Sequence, residues 1–244
     1  MSSILSYNID TNLGRLEDGL FKTIFPNHRI MNRINEIINF VKIKNPDIIH
    51  FQEGRQVSEL NLDSISPLVN AFSDSYEVIV NKYNPSSKSF SYISCFKKSK
   101  YKIIDHGLFY LTDTPEKSNA YIQEQEYKVC LKEKMKELSN KWRKINGFEE
   151  FERSVAWHII EDILEKKLLV TVNCHFGVSK EHRFYAPLIL NKLIEDLPKK
   201  SGTQNIIATG DFNTFQDDGG LEQAKLVNLN DLPVEKYQKD NIEN

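Results

Sequence analysis

The spacing of apolar and polar positions along the chain predicts an α/β protein. Residues 4–9 form a short apolar run that is typical of a β-strand. From residue 29 to residue 44, branched aliphatic side chains recur at three- and four-residue steps, which predicts an amphipathic helix. Asn45-Pro46 ends that helix, because proline lacks a backbone donor and biases its predecessor away from the α conformation. Residues 47–51 form a second apolar strand, and this strand–helix–strand opening favours an α/β architecture.

The rest of the chain is predicted to be rich in β-structure. Residues 154–160 and 168–173 flank a polar turn around Glu161-Asp162, which predicts a β-hairpin. Residues 181–197 have the apolar spacing of a helix. The remaining predicted strands are residues 76–80, 91–96, 101–110 and 205–209.

One segment, residues 121–145, interrupts the β pattern. Its apolar residues, among them Leu131, Leu138 and Trp142, recur at helical spacing with lysines between them. Two interpretations stay open: a surface helix that packs its apolar stripe on the sheets, or a basic flap that contacts substrate phosphates beside an active site. In both, residues 116–150 form a helical insertion in a single domain spanning residues 1–244, with a polar tail at 228–244.

The composition adds limits on function. Of the 244 residues, 40% are hydrophobic and 27% are charged, which is typical of a packed globular domain. The formal net charge of -2 argues against a protein that coats nucleic acid non-specifically. Cys95, Cys130 and Cys174 lack paired spacing, which favours reduced thiols over disulfides or a zinc site. Without a leader-like segment or an apolar run of the roughly 20 residues that span a bilayer, we expect an intracellular protein, cytoplasmic or nuclear.

Polar side chains follow four predicted strands where the apolar run ends: Asn8 and Asp10, Gln52 and Glu53, Asn173 and His175, and Asp211 and Asn213. Strand ends are common positions for sites in α/β proteins, because the sheet holds the side chains rigidly. A hard cation prefers oxygen ligands, so Glu53 with Asp10 or Asn8 predicts a magnesium site for phosphoester chemistry. Ordinary roles stay open too: Glu53 as a capping carboxylate, Asp10 or Asp211 as a loop or turn residue, and His175 as a structural histidine.

Six short motifs between residues 3 and 215 resemble, in order, those of the endonuclease/exonuclease/phosphatase superfamily. They are SYNI at 6–9, PDIIHFQE at 46–53, LFYLTDTP at 108–115, RSVAW at 153–157, NCH at 173–175 and GDFN at 210–213. The family patterns they resemble are an opening Asn motif, PDI…QE, FWLSxTP, RxxTW, NTH and GDFN. Each motif alone is a weak signal, and their shared order and spacing make the resemblance specific. The other histidines match no motif, and we expect structural or surface roles for them: His28, His50, His106, His158 and His182.

The resemblance implies a four-layer sandwich, with two mixed β-sheets packed face to face and helices outside. It also implies roles for the matching residues. Glu53 would be the principal ligand of Mg²⁺ or Mn²⁺, with Asn8 and Asp10 near the metal. His175 would contact the scissile phosphate, and Asp211 would orient the attacking water. Two further roles complete the implied set: Asn213 would position Asp211 or the phosphate, and Arg153 would face the phosphate or brace the site.

One departure from the family pattern concerns the last motif. The family ends with an apolar strand and a Ser-Asp-His motif, whereas residues 214–244 contain no histidine and no strand-like apolar run near their end. We therefore expect the C-terminal strands of the fold to be missing and the strand at residues 4–9 to present an unpaired edge. The expected function is metal-dependent phosphoester hydrolysis. The alternative is an impaired descendant that binds a phosphorylated ligand or a protein partner; nucleic acid, phospholipid headgroup and small nucleotide all stay open.

Overall fold

The computed structural model describes residues 2–9, 26–57, 62–82, 90–111, 153–177 and 180–213. The strands are β1 Ile4–Asn8, β2 Ile48–Val57, β3 Leu62–Asp63, β4 Tyr76–Lys82, β5 Phe90–Lys97, β6 Tyr101–Tyr110, β7 Ser154–Asp162, β8 Leu168–His175 and β9 Ile206–Asp211. The helices are α1 Pro26–Lys44, α2 Ile65–Phe72 and α3 Lys180–Ser201. None of the helices in these ranges has the length and apolar character needed to cross a bilayer.

The strands form two mixed sheets. The first has the order β1-β2-β5-β4, with the short β3 paired to β2, and the second has the order β6-β7-β8-β9. Strands β1 and β2 are parallel, as are β8 and β9, and the other pairs are antiparallel. Within the described ranges, β1 lies at the edge of its sheet and β9 at the edge of the other. The two mixed sheets predicted from the sequence are confirmed.

Helices cover the outer face of each sheet. One buried cluster joins Ile34 and Val41 of α1 and Leu68 of α2 to Phe51 and Ile93 of the first sheet. A second cluster packs the apolar side of α3 on β7 and β8 of the second sheet. Burial of these apolar faces, at roughly 25 cal/mol per Å² of apolar surface, is the main term that holds helices on sheets. The layers run helix, sheet, sheet, helix, which confirms the predicted sandwich.

The faces that the two sheets turn towards each other differ along their length. At one end they meet through an apolar cluster of Ile48, Phe96, Tyr101 and Ile160. Towards the other end, the same faces carry buried polar side chains: His50, Gln52, Ser94, His158, Thr171, Asn173 and His175. Buried polar groups are costly unless they are hydrogen-bonded, so a polar interior of this extent must be arranged in networks.

Several elements differ from the sequence prediction. Strand β2 continues to Val57, so Gln52 and Glu53 lie inside the strand and not after its end. Apolar periodicity did not predict β3 and α2, because a two-residue strand and an eight-residue helix carry little of it. Helix α3 runs beyond the predicted bounds and contains Pro187 and Pro198. Asp10, the predicted insertion at 116–150 and the polar tail lie outside the described residues.

Candidate active site

Four strands bring four predicted site residues to one end of the sandwich. Asn8 ends β1, Glu53 lies in β2, His175 ends β8 and Asp211 ends β9. Register pairs Asn8 with Gln52 in the first sheet and His175 with Asp211 in the second. Because each of these strand pairs is parallel, the carboxyl ends of the strands meet at the same edge, where the two sheets face each other.

The amide of Asn8 is the centre of the cluster. Its Nδ2 donates to Asp211 Oδ2 at 2.8 Å and to Glu53 Oε1 at 3.3 Å. The first of these hydrogen bonds joins the two sheets through residues that are 203 positions apart in sequence. The Nδ2 group of Asn8 thus contacts both carboxylates. Which end of the amide carries nitrogen follows from this network, since two carboxylates can only accept.

Glu53 reaches the cluster through a distortion of its strand. Its φ is 64°, in the left-handed region that few non-glycine residues adopt, and the register between β2 and β5 shifts between Phe51 and Gly54. Glu53 is 7% exposed. Such backbone strain costs about 1–3 kcal/mol and persists where surrounding structure enforces it, often at functional sites. The bulge turns a buried carboxylate towards Asn8 and His175.

His175 lies between the carboxylates and an arginine. Its Nε2 is 3.4 Å from Glu53 Oε1 and 3.9 Å from Asp211 Oδ2. Arg153 Nη1 lies 2.8 Å from Nδ1 of the same ring and 3.2 Å from its Nε2. Burial, with the neighbouring guanidinium of Arg153, lowers the pKa of His175 to about 3, so the ring is neutral near pH 7. A guanidinium can only donate and carboxylates can only accept, so we assign the tautomer in which Nδ1 accepts from Arg153 and the Nε2 proton faces the carboxylates.

The segment from Gly210 to Asn213 holds Asp211 in place. Gly210 has a φ of 147°, and a Cβ at this position would lie 2.0 Å from the backbone oxygen of Cys174. Only glycine allows β9 to approach β8 this closely. Beyond it, the backbone amide of Asn213 donates to Asp211 Oδ1 at 2.9 Å, and Asn213 Nδ2 donates to the Phe176 carbonyl at 2.7 Å. Asn213 thus orients Asp211, and its own side chain contacts the backbone.

Two amides next to the site residues link the sheets, and neither was assigned a role from the motifs. Gln52 Nε2 donates to Asn173 Oδ1 at 2.7 Å and to Ser6 Oγ at 3.1 Å. Asn173 Nδ2 donates to the Phe51 carbonyl at 3.1 Å. Both amides are fully buried or nearly so. A sequence signal was present: Gln52 is two residues from His50 and Asn173 is two residues from His175, so each pair lies on the same face of its strand.

The structure brings together Asn8, Glu53, Arg153, His175, Asp211 and Asn213, six of the seven residues predicted for the site. Asp10 lies outside the described residues. The roles of all seven stay predictions. Within the described ranges, no group of three or more His, Cys, Asp and Glu side chains is arranged to hold a metal ion by itself. A cleft of about 630 Å³ between the β4 and β6 edges contains none of these residues.

Comparison with solved structures identifies the fold. One similar structure is an endonuclease/exonuclease/phosphatase family protein from Bacteroides thetaiotaomicron. It is 18% identical in sequence, the TM-score is 0.57, and the match covers 80% of this chain and 58% of that chain. The chain has the endonuclease/exonuclease/phosphatase fold. A mannosyl-6-phosphatase of the same organism is 16% identical, with a TM-score of 0.62, over 92% of this chain and 70% of that chain. D. rerio TDP2 complexed with a single-strand DNA product is 13% identical, with a TM-score of 0.53, and the match covers 90% of this chain and 64% of that chain.

These similarities confirm the resemblance at the level of fold. This chain spans less than two thirds of the length of the first of those structures, at 58%. No protein-family model and no curated protein sequence matches it. The activities given in the names of these structures describe those proteins and are not carried over to this chain here.

Proposed function

We propose that this chain binds a divalent cation, Mg²⁺ or Mn²⁺, and hydrolyses a phosphoester at the cluster of Asn8, Glu53, His175 and Asp211. The observation that carries the proposal is the convergence of an amide and a neutral imidazole on the same two carboxylates. The Asn8 amide lies 2.8–3.3 Å from oxygens of Asp211 and Glu53, and the His175 ring lies 3.4–3.9 Å from the same oxygens. Structural residues seldom gather unlike titratable groups in this way, and such clusters at strand ends mark functional sites.

The donor set fits a hard cation. Mg²⁺ is usually bound by one or two carboxylates, keeps several waters and takes further oxygens from substrate phosphates, so it does not require a complete cage of protein ligands. Glu53 and Asp211 supply the carboxylates, and the amide of Asn8 adds an oxygen if it rotates. The bound cation would polarise the phosphoryl oxygen and stabilise the charge that develops on it.

The protein groups would act on water and phosphate. Asp211 is 31% exposed, with Oδ1 bonded to the Asn213 backbone amide and Oδ2 to the Asn8 amide. A carboxylate held in this way and still reached by solvent would orient a water for attack on phosphorus. In the step, the water oxygen would form a bond to phosphorus as the bond between phosphorus and the ester oxygen breaks. The attacking water would lose a proton to solvent, and the departing ester oxygen would take up a proton from solvent. The Nε2 proton of neutral His175 would donate a hydrogen bond to a phosphoryl oxygen.

The substrate is a phosphoester of either common class, a monoester or a diester. The similar structures include a mannosyl-6-phosphatase and a protein bound to a single-strand DNA product. Both are similar to this chain at a comparable level. Their names therefore support cleavage of a phosphoester bond, and they leave open which molecule carries the phosphate.

The experiment measures hydrolysis of 4-nitrophenyl phosphate and bis(4-nitrophenyl) phosphate while Mg²⁺ and then Mn²⁺ are titrated from zero with a chelator present. We expect cation-dependent release of nitrophenolate from at least one substrate. Glu53→Gln preserves the shape of the side chain and should lower the rate by about 10²–10⁴-fold. Glu195→Gln, an exposed carboxylate on α3, is the matched control and should leave it unchanged.

Absence of turnover with both substrates and both cations would contradict the proposal. Binding of vanadate or inorganic phosphate without turnover, lost in Glu53→Gln, would favour the alternative of a chain that binds a phosphorylated ligand. Turnover that persists in Glu53→Gln would place the chemistry elsewhere.

A further inference from the structure

A second polar cluster lies inside the sandwich and takes no part in the proposed chemistry. His50 of β2, His158 of β7 and Thr171 of β8 are all completely buried. Register places His158 directly opposite Thr171 in the second sheet, and His50 faces them from the first. The one hydrogen bond in the described ranges that ties the His50 ring to the opposite sheet joins its Nδ1 to Thr209 Oγ1 at 2.7 Å.

The remaining polar atoms of this cluster lack protein partners. His50 Nε2, both ring nitrogens of His158 and Thr171 Oγ1 have no partner at good hydrogen-bond geometry in the described part of the chain, and the Thr171 backbone lies near the His158 ring. Folded proteins leave very few buried polar atoms unsatisfied, because each forfeits its hydrogen bonds to water. Four such atoms on three neighbouring side chains therefore indicate a bound partner.

The geometry suits one water molecule. The rings of His50 and His158 have centroids 6.0 Å apart with planes at 32°. A water that hydrogen-bonds to a nitrogen of each ring lies roughly 4 Å from each centroid, which a 6.0 Å separation permits at an angle typical of water. The Phe96 ring lies 5.0 Å from the His158 centroid and 6.2 Å from that of His50, so it borders both rings.

We infer that a single internal water bridges His50 Nε2, a ring nitrogen of His158 and Thr171 Oγ1, and so joins the two sheets. Internal waters of this kind make about three hydrogen bonds to otherwise unsatisfied groups. A water can donate two and accept two hydrogen bonds, which suits neutral rings that offer one donor and one acceptor each. A metal ion is the poorer occupant, because no third His, Cys, Asp or Glu in the described ranges completes a ligand set there.

The test is a crystal structure of the wild-type chain at about 1.5 Å resolution, with Thr171→Val and His158→Phe as variants. The expected result is a full-occupancy water peak within about 2.7–3.2 Å of all three side chains. Thr171→Val keeps the shape of the side chain, and the peak should weaken or vanish. Thr203→Val, a hydroxyl outside the cluster that hydrogen-bonds to Leu168, is the control and should retain the peak.

Oxygen-17 relaxation dispersion in solution provides a readout without crystals, with one fewer long-lived water expected in His158→Phe than in the wild type. A dry interior in the wild-type map would overturn the inference, as would direct pairing of the two rings or an anomalous signal from a metal between them. A peak unchanged in Thr171→Val would overturn the role of Thr171.

Discussion

The side-chain amide of Asn8 binds the carboxylate of Asp211 across the two sheets, with Nδ2 2.8 Å from Oδ2. The same nitrogen lies 3.3 Å from Glu53 Oε1, so one neutral donor separates two negative groups. Replacing that donor with an acceptor would bring three carboxylates together, and like charges at such distances repel strongly where solvent is partly excluded.

Asn8→Asp should therefore unfold at a lower temperature than the wild type in chelator, and it should gain more from Mg²⁺. A ligand that binds the folded state raises stability by RT ln(1 + [L]/Kd), so a tighter cation site gives a larger shift. Thermal unfolding with and without Mg²⁺ measures both effects. Asn70→Asp, an exposed position in α2, is the control for the added charge. An equal Mg²⁺ shift in Asn8→Asp and the wild type would contradict the cation site.

The link between Gln52 and Asn173 predicts a stability effect that depends on both residues. Gln52→Leu leaves the buried Asn173 Oδ1 without its 2.7 Å donor and should cost about 1–3 kcal/mol. In the double variant Gln52→Leu/Asn173→Leu, the second change should cost less than it does alone, with a coupling of about 0.5–3 kcal/mol. Denaturant unfolding of the four proteins measures the cycle. Additive losses would show that the two amides act independently.

Two glycines with positive φ provide a matched pair. Gly202 has a φ of 73°, and a Cβ added there would meet nothing within 4 Å, whereas a Cβ at Gly210 would collide with the Cys174 backbone. Gly202→Ala should cost about 1–2 kcal/mol, from backbone conformation alone. Gly210→Ala combines strain with a steric clash and should lose about 3–5 kcal/mol or yield no folded protein. Similar losses for the two variants, measured by denaturant unfolding, would show that β8 and β9 separate readily beside Asp211.

The buried histidines predict loss of stability in acid. Burial lowers the pKa of His50 to about 3 from an ordinary value of 6.5, and burial also lowers the pKa of His158, with a further contribution from the neighbouring His50. Below pH 6.5 these histidines bind protons in the unfolded chain, whereas in the folded chain they stay neutral. Stability from neutral His50 is thus complete above pH 6.5 and is lost between pH 6.5 and about 3, at roughly 1.4 kcal/mol per pH unit.

His50→Gln removes one of these groups and should flatten the fall of unfolding free energy between pH 6.5 and 4. Denaturant midpoints measured at half-unit steps in pH give the slope. Lys42→Gln, an exposed position on α1 outside the sandwich interior, is the control, and it should leave the slope close to that of the wild type. If the wild type and His50→Gln have the same slope, the buried ring is accessible to protons in the folded state.

The elements with strong periodicity could be predicted from the sequence, and so could the fold. Helix α1 and strands β4 to β8 carry apolar residues at regular steps because one face of each packs against a layer. The end of β2 could not be predicted from the sequence, because Gln52 and Glu53 are polar. The bulge that turns Glu53 inwards depends on contacts with β5.

The members of the candidate site could be named from short motifs, because six such motifs resemble the family patterns in the same order along the chain. Their arrangement could not be derived in the same way. The contacts of Asn8 with Asp211 and of Arg153 with His175 join residues on different strands or strand ends, and only tertiary packing sets those distances. The bridging role of Gln52 and Asn173 was missed for the same reason.

In the function proposed above, Asn8, Glu53, His175 and Asp211 surround a divalent cation that acts on a phosphate. An anomalous difference map from crystals soaked in Mn²⁺ with vanadate tests this arrangement. We expect one strong Mn²⁺ peak bonded to the Glu53 carboxylate, with vanadate oxygens between it and His175. A cluster that stays without an anomalous peak at millimolar Mn²⁺, while its side chains keep the contacts described above, would contradict it.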